Sequence, residues 1–502
     1  MRRSDPAIGS ALLTMAVIVM GGMLLSLVTV VPSGNATVAG DSRVANDTDA
    51  QDLEELDEFS AGEDDIAGSV DGQSGTPGPG AGGGGELPPE AKASCAAGRN
   101  DGATDVGVTA NEVKLAATVV ADGPGASFLS PVRTGMVAVV NRANAKPEGI
   151  CGRRIRLILR NDSWDASRGQ QFIKNFVESE NVFALAVVPS SEGLRAADSY
   201  IRTKKVPVIG SDGMLIHQYR NPWIWPVATS TISTMHIMAK NAHDRGAREF
   251  GIVFDAKYHF GVEGAFAFNE AVKRLTGNAI PGYDPNKKCL QRFCGIQPQK
   301  PSYASDASTF NNACFHQGSS TCDFIAYLLE PDTAVSFFHE GRPADPKIGL
   351  GGGQPLFTKS FAENCQRLCN GMWVWTGYNP PIEALAATSA VASFVADIRK
   401  ESGSADVTNQ FLEGGYLGMS LVVAAIEKTG PRLTRDGIRK VLDNLTFDIG
   451  LSSPLTWRPD NHFANTAAQA FEIQYQQSFT GWRQKTGFIV DPWVGQDIPA
   501  GE

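Results

Sequence analysis

The fold of this chain is indicated by two neighbouring stretches, Ala184-Leu-Ala-Val-Val-Pro-Ser-Ser-Glu-Gly193 and Val206-Pro-Val-Ile-Gly-Ser-Asp-Gly213. Each half is a short apolar run that ends in small polar residues, and residues 194–204 between them have a helical pattern. The unit is therefore predicted to be strand, helix, strand. Open parallel sheets bind ligands in the crevice beyond the carboxyl ends of their strands, so we expect a ligand pocket at these corners. The polar side chains at the two corners are Ser190, Ser191, Ser211 and Asp212.

The same alternation continues on both sides of this unit. Before it, strands are predicted at 113–120 and 155–161 and helices at 131–144 and 166–180. The pattern restarts at residue 231, with further strands predicted at 250–254, 324–329, 348–351 and 372–376. Residues 277–305 interrupt this second series and are predicted to be a surface loop. Three helices follow, at 381–400, 409–428 and 434–442, and short strands are predicted within 447–493.

Regular alternation of strands and helices is typical of an α/β fold with a parallel sheet. We predict two doubly wound lobes with central parallel sheets, joined by a hinge that the chain crosses more than once. The first lobe is predicted to contain residues 94–230 with roughly 379–446. The second is predicted to contain residues 231–378 with roughly 447–502.

The N-terminal region is predicted to be a membrane anchor, within residues 1–32. Residues 7–31 carry no charged side chain, and as a helix at about 1.5 Å per residue they would exceed the ~30 Å apolar core of a bilayer. Arg2 and Arg3 precede this stretch, so the positive-inside rule places the folded part outside the cytoplasm. The alternative is a cleaved secretory signal, with small residues at Thr37-Val-Ala39, which would release a secreted protein.

Residues 33–93 are predicted to be a disordered linker. Between Asp41 and Glu90 there are 14 acidic residues against one arginine, and a Gly- and Pro-rich run follows at 76–85. Such a composition buries too little apolar surface to fold. The linker also accounts for the chain's net charge of -10, which leaves the folded region close to neutral. A neutral domain lacks the basic face that nucleic acid requires, so no nucleic-acid partner is expected.

The exported region contains eight cysteines, an even number that suits a disulfide-permissive compartment. Three pairs are close in sequence, which leaves the first two cysteines for each other. The favoured pairs are Cys95 with Cys151, Cys289 with Cys294, Cys314 with Cys322, and Cys365 with Cys369. This is one of 105 possible connectivities, and the sequence does not choose among them. A zinc site is the alternative, although the chain lacks the Cys-x-x-Cys spacing.

Further stretches occur in a distinctive order along the chain. They are Gly107-Val-Thr-Ala-Asn-Glu-Val-Lys-Leu115, Asn141-Arg-Ala-Asn-Ala145, Gly149-Ile-Cys-Gly-Arg153, Asn161-Asp162, Ser190-Ser191, Val206-Pro-Val-Ile-Gly210, the loop 255–264 and Glu413-Gly-Gly-Tyr-Leu417. In order and spacing, residues 111–480 resemble the type I periplasmic solute-binding proteins of ABC importers, the branched-chain amino acid-binding family. The resemblance implies two lobes, joined by three crossings, that close over a small solute and deliver it to an ABC permease.

The resemblance also implies where a solute would be held. The family's amino acid binders hold the ligand carboxylate with serine and small residues at the positions of Ser190, Ser191 and Ser211. Asp212 departs from that pattern, because its carboxylate would repel another carboxylate and favour a neutral or cationic group. The alternative for Ser191 and Asp212 is that they only cap the helices that follow them.

In the second lobe, the resemblance places an aromatic contact at Phe260, and Phe128 lies in the first loop, where another is common. Both are equally consistent with ordinary core packing. The family's Tyr and Glu, which hold the ligand ammonium, correspond to positions near 329 and 353, where this chain has Leu and Gly. Glu330 and Gln354 are predicted to replace them. Trp373, Trp375 and Tyr378 form an aromatic cluster at a predicted crossing, where packing is expected and stacking on a ligand is the alternative.

Motifs of enzymes are absent from the sequence. There is no Gly-x-Ser-x-Gly elbow, no phosphate loop, no Gly-x-Gly-x-x-Gly after a predicted strand and no His-Glu-x-x-His. We therefore expect no catalytic activity, metal or cofactor. The sequence predicts a membrane-anchored extracytoplasmic receptor for an amino acid or a related amide or amine. The alternative is a sensing or surface interaction domain with the same fold and no role in transport.

Overall fold

The computed structural model of the protein describes residues 45–46, 89–284, 286–341 and 345–499. The membrane anchor predicted within residues 1–32 and most of the predicted linker lie outside the described residues. Among the helices that the structure describes, none is long and apolar enough to cross a membrane.

The first sheet has six parallel strands in the order β1-β3-β2-β4-β5-β6. Its strands are β1 (Ala45–Asn46), β2 (Glu112–Val119), β3 (Arg154–Asn161), β4 (Ala184–Ala186), β5 (Val208–Ser211) and β6 (Ile224–Pro226). The helices of this part are α1 (Pro89–Ala96), α2 (Ala126–Leu129), α3 (Val132–Asn144), α4 (Ala166–Glu178), α5 (Ser191–Ala196), α6 (Asp198–Lys204) and α7 (His217–Arg220). Every residue of β4 and β5 is buried. Strands of a parallel sheet with helices on both faces are buried in this way, which explains their continuous apolar runs.

The second sheet has the strand order β17-β16-β13-β12-β11-β7-β8, with β18 beside β16. Its first part contains α8 (Thr231–Asp244), β7 (Phe250–Asp255), α9 (His259–Thr276), β8 (Phe293–Ile296), α10 (Ala304–Cys314), β9 (Phe315–His316), β10 (Ser319–Ser320), β11 (Phe324–Leu328), α11 (Pro331–Glu340), β12 (Gly349–Gly352), α12 (Lys359–Cys365) and β13 (Trp373–Thr376). Strands β8, β7, β11, β12 and β13 are parallel.

The rest of the chain returns to both sheets. It contains α13 (Ser389–Glu401), α14 (Gln410–Thr429), α15 (Arg435–Leu442), β14 (Thr446–Phe447), β15 (Leu455–Thr456), β16 (Ala467–Tyr475), β17 (Phe479–Gln484) and β18 (Ile489–Val490). Helix α14 packs against α3 and β5 of the first sheet, whereas β16 pairs antiparallel with β13 of the second. The fold is therefore α/β with two central parallel sheets. The lobe boundaries given above stay a prediction.

Glycines allow the close approach of α14 to the first sheet. A Cβ atom at Gly415 would lie 2.3 Å from the carbonyl oxygen of Val132, and one at Gly135 would lie 2.2 Å from that of Leu412. Gly210, at the end of β5, has a φ of +80° and faces Gly418, where a Cβ would lie 2.5 Å from the Gly210 carbonyl oxygen. Backbone atoms are in contact at both places, so α14 cannot accept a side chain there without moving.

Three local expectations were wrong. Residues 277–305 are not only a surface loop, because they contain β8, which pairs with β7 at the edge of the second sheet. A four-residue apolar strand is too short to show a period in the sequence. The helix predicted at 194–204 is divided into α5 and α6. The predicted linker contributes Ala45–Asn46 to the first sheet, and α1 begins at Pro89, inside its predicted last residues.

All eight cysteines form disulfides, in the four pairs that the spacing favours. Cys95 is joined to Cys151, Cys289 to Cys294, Cys314 to Cys322, and Cys365 to Cys369. The sulfur atoms are thus bonded to each other, and the zinc alternative does not apply to them. The first pair ties α1 to the loop before β3.

The C-terminal segment is attached to α8 and α9 by a buried cluster of charges. His236 has Nδ1 3.0 Å from Asp491 Oδ1 and Nε2 3.1 Å from Asp497 Oδ2. Arg274 donates two hydrogen bonds to the Asp497 carboxylate, at 2.8 and 2.9 Å. Burial lowers the pKa of His236, but the hydrogen bonds and charges of the two carboxylates outweigh it, so the net pKa is raised.

We expect residues 491–499 to loosen as the pH rises. Because the pKa of His236 is higher in the folded than in the unfolded state, its stabilisation is complete below the ordinary histidine pKa of about 6.5 and is lost as the pH rises through the folded-state pKa. Amide hydrogen exchange of this segment, corrected for intrinsic rates, measures the effect. His236→Gln should abolish the pH dependence and His316→Gln, at an exposed position, should not. Equal protection of the wild type at all pH values would contradict the prediction.

Candidate functional site

Two predicted corners of the first sheet lie together and are buried. Ser190 and Ser191 are at the start of α5, Ser211 ends β5, and all three side chains are fully buried. The indole Nε1 of Trp164 donates a hydrogen bond to Ser191 Oγ, at 3.3 Å. Val187, at the end of β4, has a φ of +53°, which is rare for a β-branched residue and marks backbone strain at this corner.

Asp212 is the charged residue of the second corner. Its Oδ1 accepts hydrogen bonds from the Met214 backbone N–H, at 3.2 Å, and from Gln218 Nε2, at 2.6 Å. Its Oδ2 is shielded from solvent and has no hydrogen-bond partner among the described residues. Burial raises the pKa of Asp212 to about 7, with the nearby Glu192 carboxylate adding to the rise and the two hydrogen bonds opposing it. This carboxyl group therefore titrates near neutral pH.

A small cavity lies beside Asp212, and we call it the cleft cavity. Its volume is about 20 Å³, room for one or two water molecules. It is lined by Val132, Val187, Pro189, Gly210, Asp212, Val227, Ala228, Gln354, Tyr378, Gln410, Phe411, Gly414 and Gly415. Of these lining residues, all within the described part of the chain, Asp212 alone carries a charged side chain.

The N-terminus of α14 forms one wall of the cleft cavity. Asn409 caps the helix, since its Oδ1 accepts hydrogen bonds from the backbone N–H groups of Phe411 and Leu412. Gln410 donates a hydrogen bond to the backbone carbonyl of Gln354. Gln354 Nε2 donates in turn to the carbonyl of Thr229, at 2.7 Å. The two glutamines thus connect the end of α14 to the turn after β12 and, through Gln354, to the segment between β6 and α8.

Two more ionisable side chains lie at this wall, Tyr378 on the cavity lining and Glu413 on α14. Glu413 is fully buried, and neither of its carboxylate oxygens has a side-chain partner among the described residues; burial raises its pKa well above the ordinary value. Burial likewise raises the pKa of Tyr378, and the charges of Glu413 and Asp212 raise it further. Burial therefore makes a negative charge on either of these two side chains unfavourable.

An aromatic cluster lies next to the cavity. Trp164 stacks on Tyr258 with ring centroids 4.1 Å apart, and Phe260 is stacked at 5.9 Å from the same indole. Phe128 meets Trp164 edge-on at 5.5 Å and Phe411 at 5.1 Å. Since Trp164 follows β3 and Tyr258 precedes α9, this cluster joins elements of the two sheets.

Two carboxylates, of Glu192 and Glu263, also form contacts between elements of the two sheets. Glu192 of α5 accepts a hydrogen bond from the His259 backbone N–H, at 2.8 Å, and its Oε2 is 2.6 Å from His259 Nδ1. Glu263 of α9 accepts a hydrogen bond from the Ile216 backbone N–H, at 2.9 Å. These contacts, with the aromatic cluster, hold the elements around the cleft cavity together.

The sequence model of one protein family, described as "Periplasmic binding protein", matches residues 112–478. The chain belongs to the periplasmic binding protein family. Its fold is the type I fold of that family, an α/β architecture with parallel central sheets. Proteins of the family are receptors for solutes and not enzymes. No curated protein sequence matches the chain.

Solved structures of periplasmic binding proteins support the fold. A possible leucine/isoleucine/valine-binding protein from Rhodopirellula baltica SH 1 has 15% sequence identity and a TM-score of 0.61, covering 75% of this chain and 96% of its own. A solute-binding protein of an ABC transporter from Rhodopseudomonas palustris HaA2, in complex with p-hydroxybenzoic acid, has 15% identity and a TM-score of 0.61, covering 76% and 98%. A fatty acid ABC transporter substrate-binding protein from Thermomonospora curvata has 17% identity and a TM-score of 0.61, covering 78% and 95%.

The predicted ligand contacts of this periplasmic binding protein fall into three groups. Asp212 and Gln354 line the cleft cavity. Phe128, Ser191 and Phe260 each contact Trp164 in the aromatic cluster.

Ser190, Ser211 and Glu330 do not line the cleft cavity. Ser190 and Ser211 are buried at the corners behind it. Glu330 caps α11, where its carboxylate accepts hydrogen bonds from the backbone N–H groups of Asp332, at 3.2 Å, and Thr333, at 3.0 Å. That capping role explains a buried glutamate without a ligand. Contact of these residues with a solute stays a prediction.

Sequence reasoning missed several residues of this site. Trp164 follows Asn161-Asp162 at the end of β3. The two other corners were found because polar residues follow the carboxyl end of a strand, and the same signal was present here. Gln410 and Glu413 lie at the start of a helix far along the chain, and no local pattern places them beside Asp212. Tyr378 was expected to pack with Trp373 and Trp375, with stacking on a ligand as the alternative, and it lines the cavity.

Proposed function

We propose that this protein is an extracytoplasmic receptor that captures a small solute carrying an amine or amide group and delivers it to an ABC permease. The observation that carries the proposal is Asp212, whose carboxylate lines the cleft cavity and has an oxygen without a hydrogen-bond partner among the described residues. An N–H donor of the solute would satisfy that oxygen. Donors of charged groups form the stronger hydrogen bonds, so an ammonium is favoured.

The surroundings of Asp212 support a neutral or cationic solute. Asp212 places a carboxyl group on the cavity lining, and Tyr378 and Gln410 add neutral polar groups to it. An anionic solute would meet the Asp212 carboxylate without a compensating cation on the cavity lining that the structure describes. The solutes named for the solved structures include a hydroxybenzoic acid and a fatty acid. We infer that this chain selects differently from those proteins.

Solute binding requires the site to open. A cavity of about 20 Å³ is too small for an amino acid or an amine of similar size, so the contacts of Glu192 with His259 and of Glu263 with Ile216 must separate to admit one. The closed state that holds the solute must then be wider than the solute-free one. A solute shifts this equilibrium only through its higher affinity for the closed state. The aromatic cluster would then cover the bound solute and exclude water.

The test is a thermal-shift screen of the full chain against amino acids, amides, polyamines, short carboxylic acids and aromatic acids. We expect stabilisation by a member of the amine or amide sets, because a ligand that binds only the folded state raises the melting temperature. Stabilisation by acids alone would overturn the solute class. Cells that lack the protein should lose uptake of the active solute; normal uptake would instead support a sensing role without transport.

A further inference from the structure

A second cavity lies between α3, α13, α14 and residues 447–451. Its volume is about 540 Å³, within the range of natural small-molecule sites, roughly 300–1,000 Å³. It shares no lining residue with the cleft cavity. The solute-binding role proposed above makes no use of it.

Part of the lining of this second cavity is formed by buried apolar side chains. These side chains are Val139 of α3, Val423 of α14, and Phe447 and Leu451 of the segment 447–451. Each is less than a tenth exposed. Ala424 lies beside them on α14. Apolar carbon that enters such a space loses contact with water, which is the main source of affinity in small-molecule sites.

The lining also includes buried residues with polar groups, Tyr416 and Ser420 among them. Ser420 of α14 is 7% exposed, and its Oγ has no hydrogen-bond partner among the described residues. A serine inside a helix ordinarily bonds the carbonyl one turn earlier or faces water. Ser420 does neither, so its hydroxyl is left for a group that enters the cavity.

The charged residues at the cavity are already paired. Arg142 Nη1 is 2.6 Å from Asp397 Oδ2, and Lys146 Nζ is 3.0 Å from Glu427 Oε1. An anionic ligand would have to displace one of these carboxylates. The charge balance therefore favours a ligand without a net charge.

We propose that the second cavity is a binding site for a small uncharged amphiphile. The ligand would place an alkyl or aromatic body against Val423, Ala424 and Ile449 and direct one hydroxyl or carbonyl group to Ser420. Size, apolar lining, the unpartnered hydroxyl and the paired charges each support this class independently.

The experiment compares benzyl alcohol with ethylbenzene, which has nearly the same shape but no hydroxyl. Methyl NMR of the full chain should show saturable shifts at Val139, Val423 and Ile449 with benzyl alcohol and weaker binding of ethylbenzene. Ser420→Ala should remove most of that preference, about 5-fold for one hydrogen bond. Ser393→Ala is the matched control, because that hydroxyl already donates to the Ser389 carbonyl at 2.8 Å.

A second variant keeps the proposal testable if Ser420→Ala perturbs the fold. Ala424→Phe starts from a partly exposed position and should fill the cavity, abolishing the shifts without lowering the melting temperature. Binding of benzyl alcohol that survives in Ala424→Phe would overturn the proposal. Shifts confined to methyl groups of the cleft cavity, or no saturable binding in the wild type, would do the same.

Discussion

Replacing Gly415 by alanine should destabilise the protein by about 3 kcal/mol, although alanine is the better helix former by about 1 kcal/mol. The added Cβ would lie 2.3 Å from the carbonyl oxygen of Val132 and 3.0 Å from its carbonyl carbon. These are backbone atoms of α3, which no side-chain rotation can move away. Helix α14 must therefore shift as a whole, and it carries Gln410 and Phe411 of the cleft cavity with it.

Chemical denaturation followed by tryptophan fluorescence measures this loss. Gly403→Ala is the control, because a Cβ at that position meets nothing within 4 Å, and its effect should stay within about 0.5 kcal/mol. If Gly415→Ala unfolds at the same denaturant concentration as the wild type, the backbone contact between α3 and α14 is absent in solution. Solute binding should weaken in Gly415→Ala even under conditions where the variant is folded.

Much of the fold could be predicted because its determinants are local. The runs 184–188 and 206–209 end in polar corners, and this pattern alone predicted parallel strands with a site at their carboxyl ends. The disulfides between Cys289 and Cys294, and between Cys365 and Cys369, close short loops that proximity in sequence suggests. β8 was missed because four apolar residues have no detectable period.

The candidate site was harder to predict because it is assembled from distant segments. Asp212 was identified from its position after a strand and Gln354 from the family resemblance, and both line the cleft cavity. Gln410 lies on α14, and its place on the cavity lining depends on the glycine contacts that bring α14 onto α3 and β5. Contacts of that kind follow from three-dimensional packing, and one sequence does not reveal them.

Asp212→Asn should weaken the binding of an amine solute about 10- to 100-fold, the effect of removing one hydrogen bond to a charged group. In the wild type, affinity should rise with pH up to about pH 7, because the carboxyl group of Asp212 has a pKa of about 7 and only its ionised form attracts a cation. The variant should show no such rise, since asparagine does not titrate. Calorimetric titrations between about pH 5 and pH 9 measure both effects.

The stability of the solute-free protein should change in the opposite direction. Burial raises the pKa of Asp212 above its unfolded value of about 3.9, so the folded state holds the proton more tightly and loses stability as the pH rises from about 4 to about 7. Asp212→Asn removes this loss and should melt at a higher temperature than the wild type at pH 8. Asp244→Asn, an equal charge change at an exposed position, should alter neither binding nor its pH dependence. A variant that is both less stable at that pH and unchanged in affinity would show that Asp212 serves the fold and not the solute.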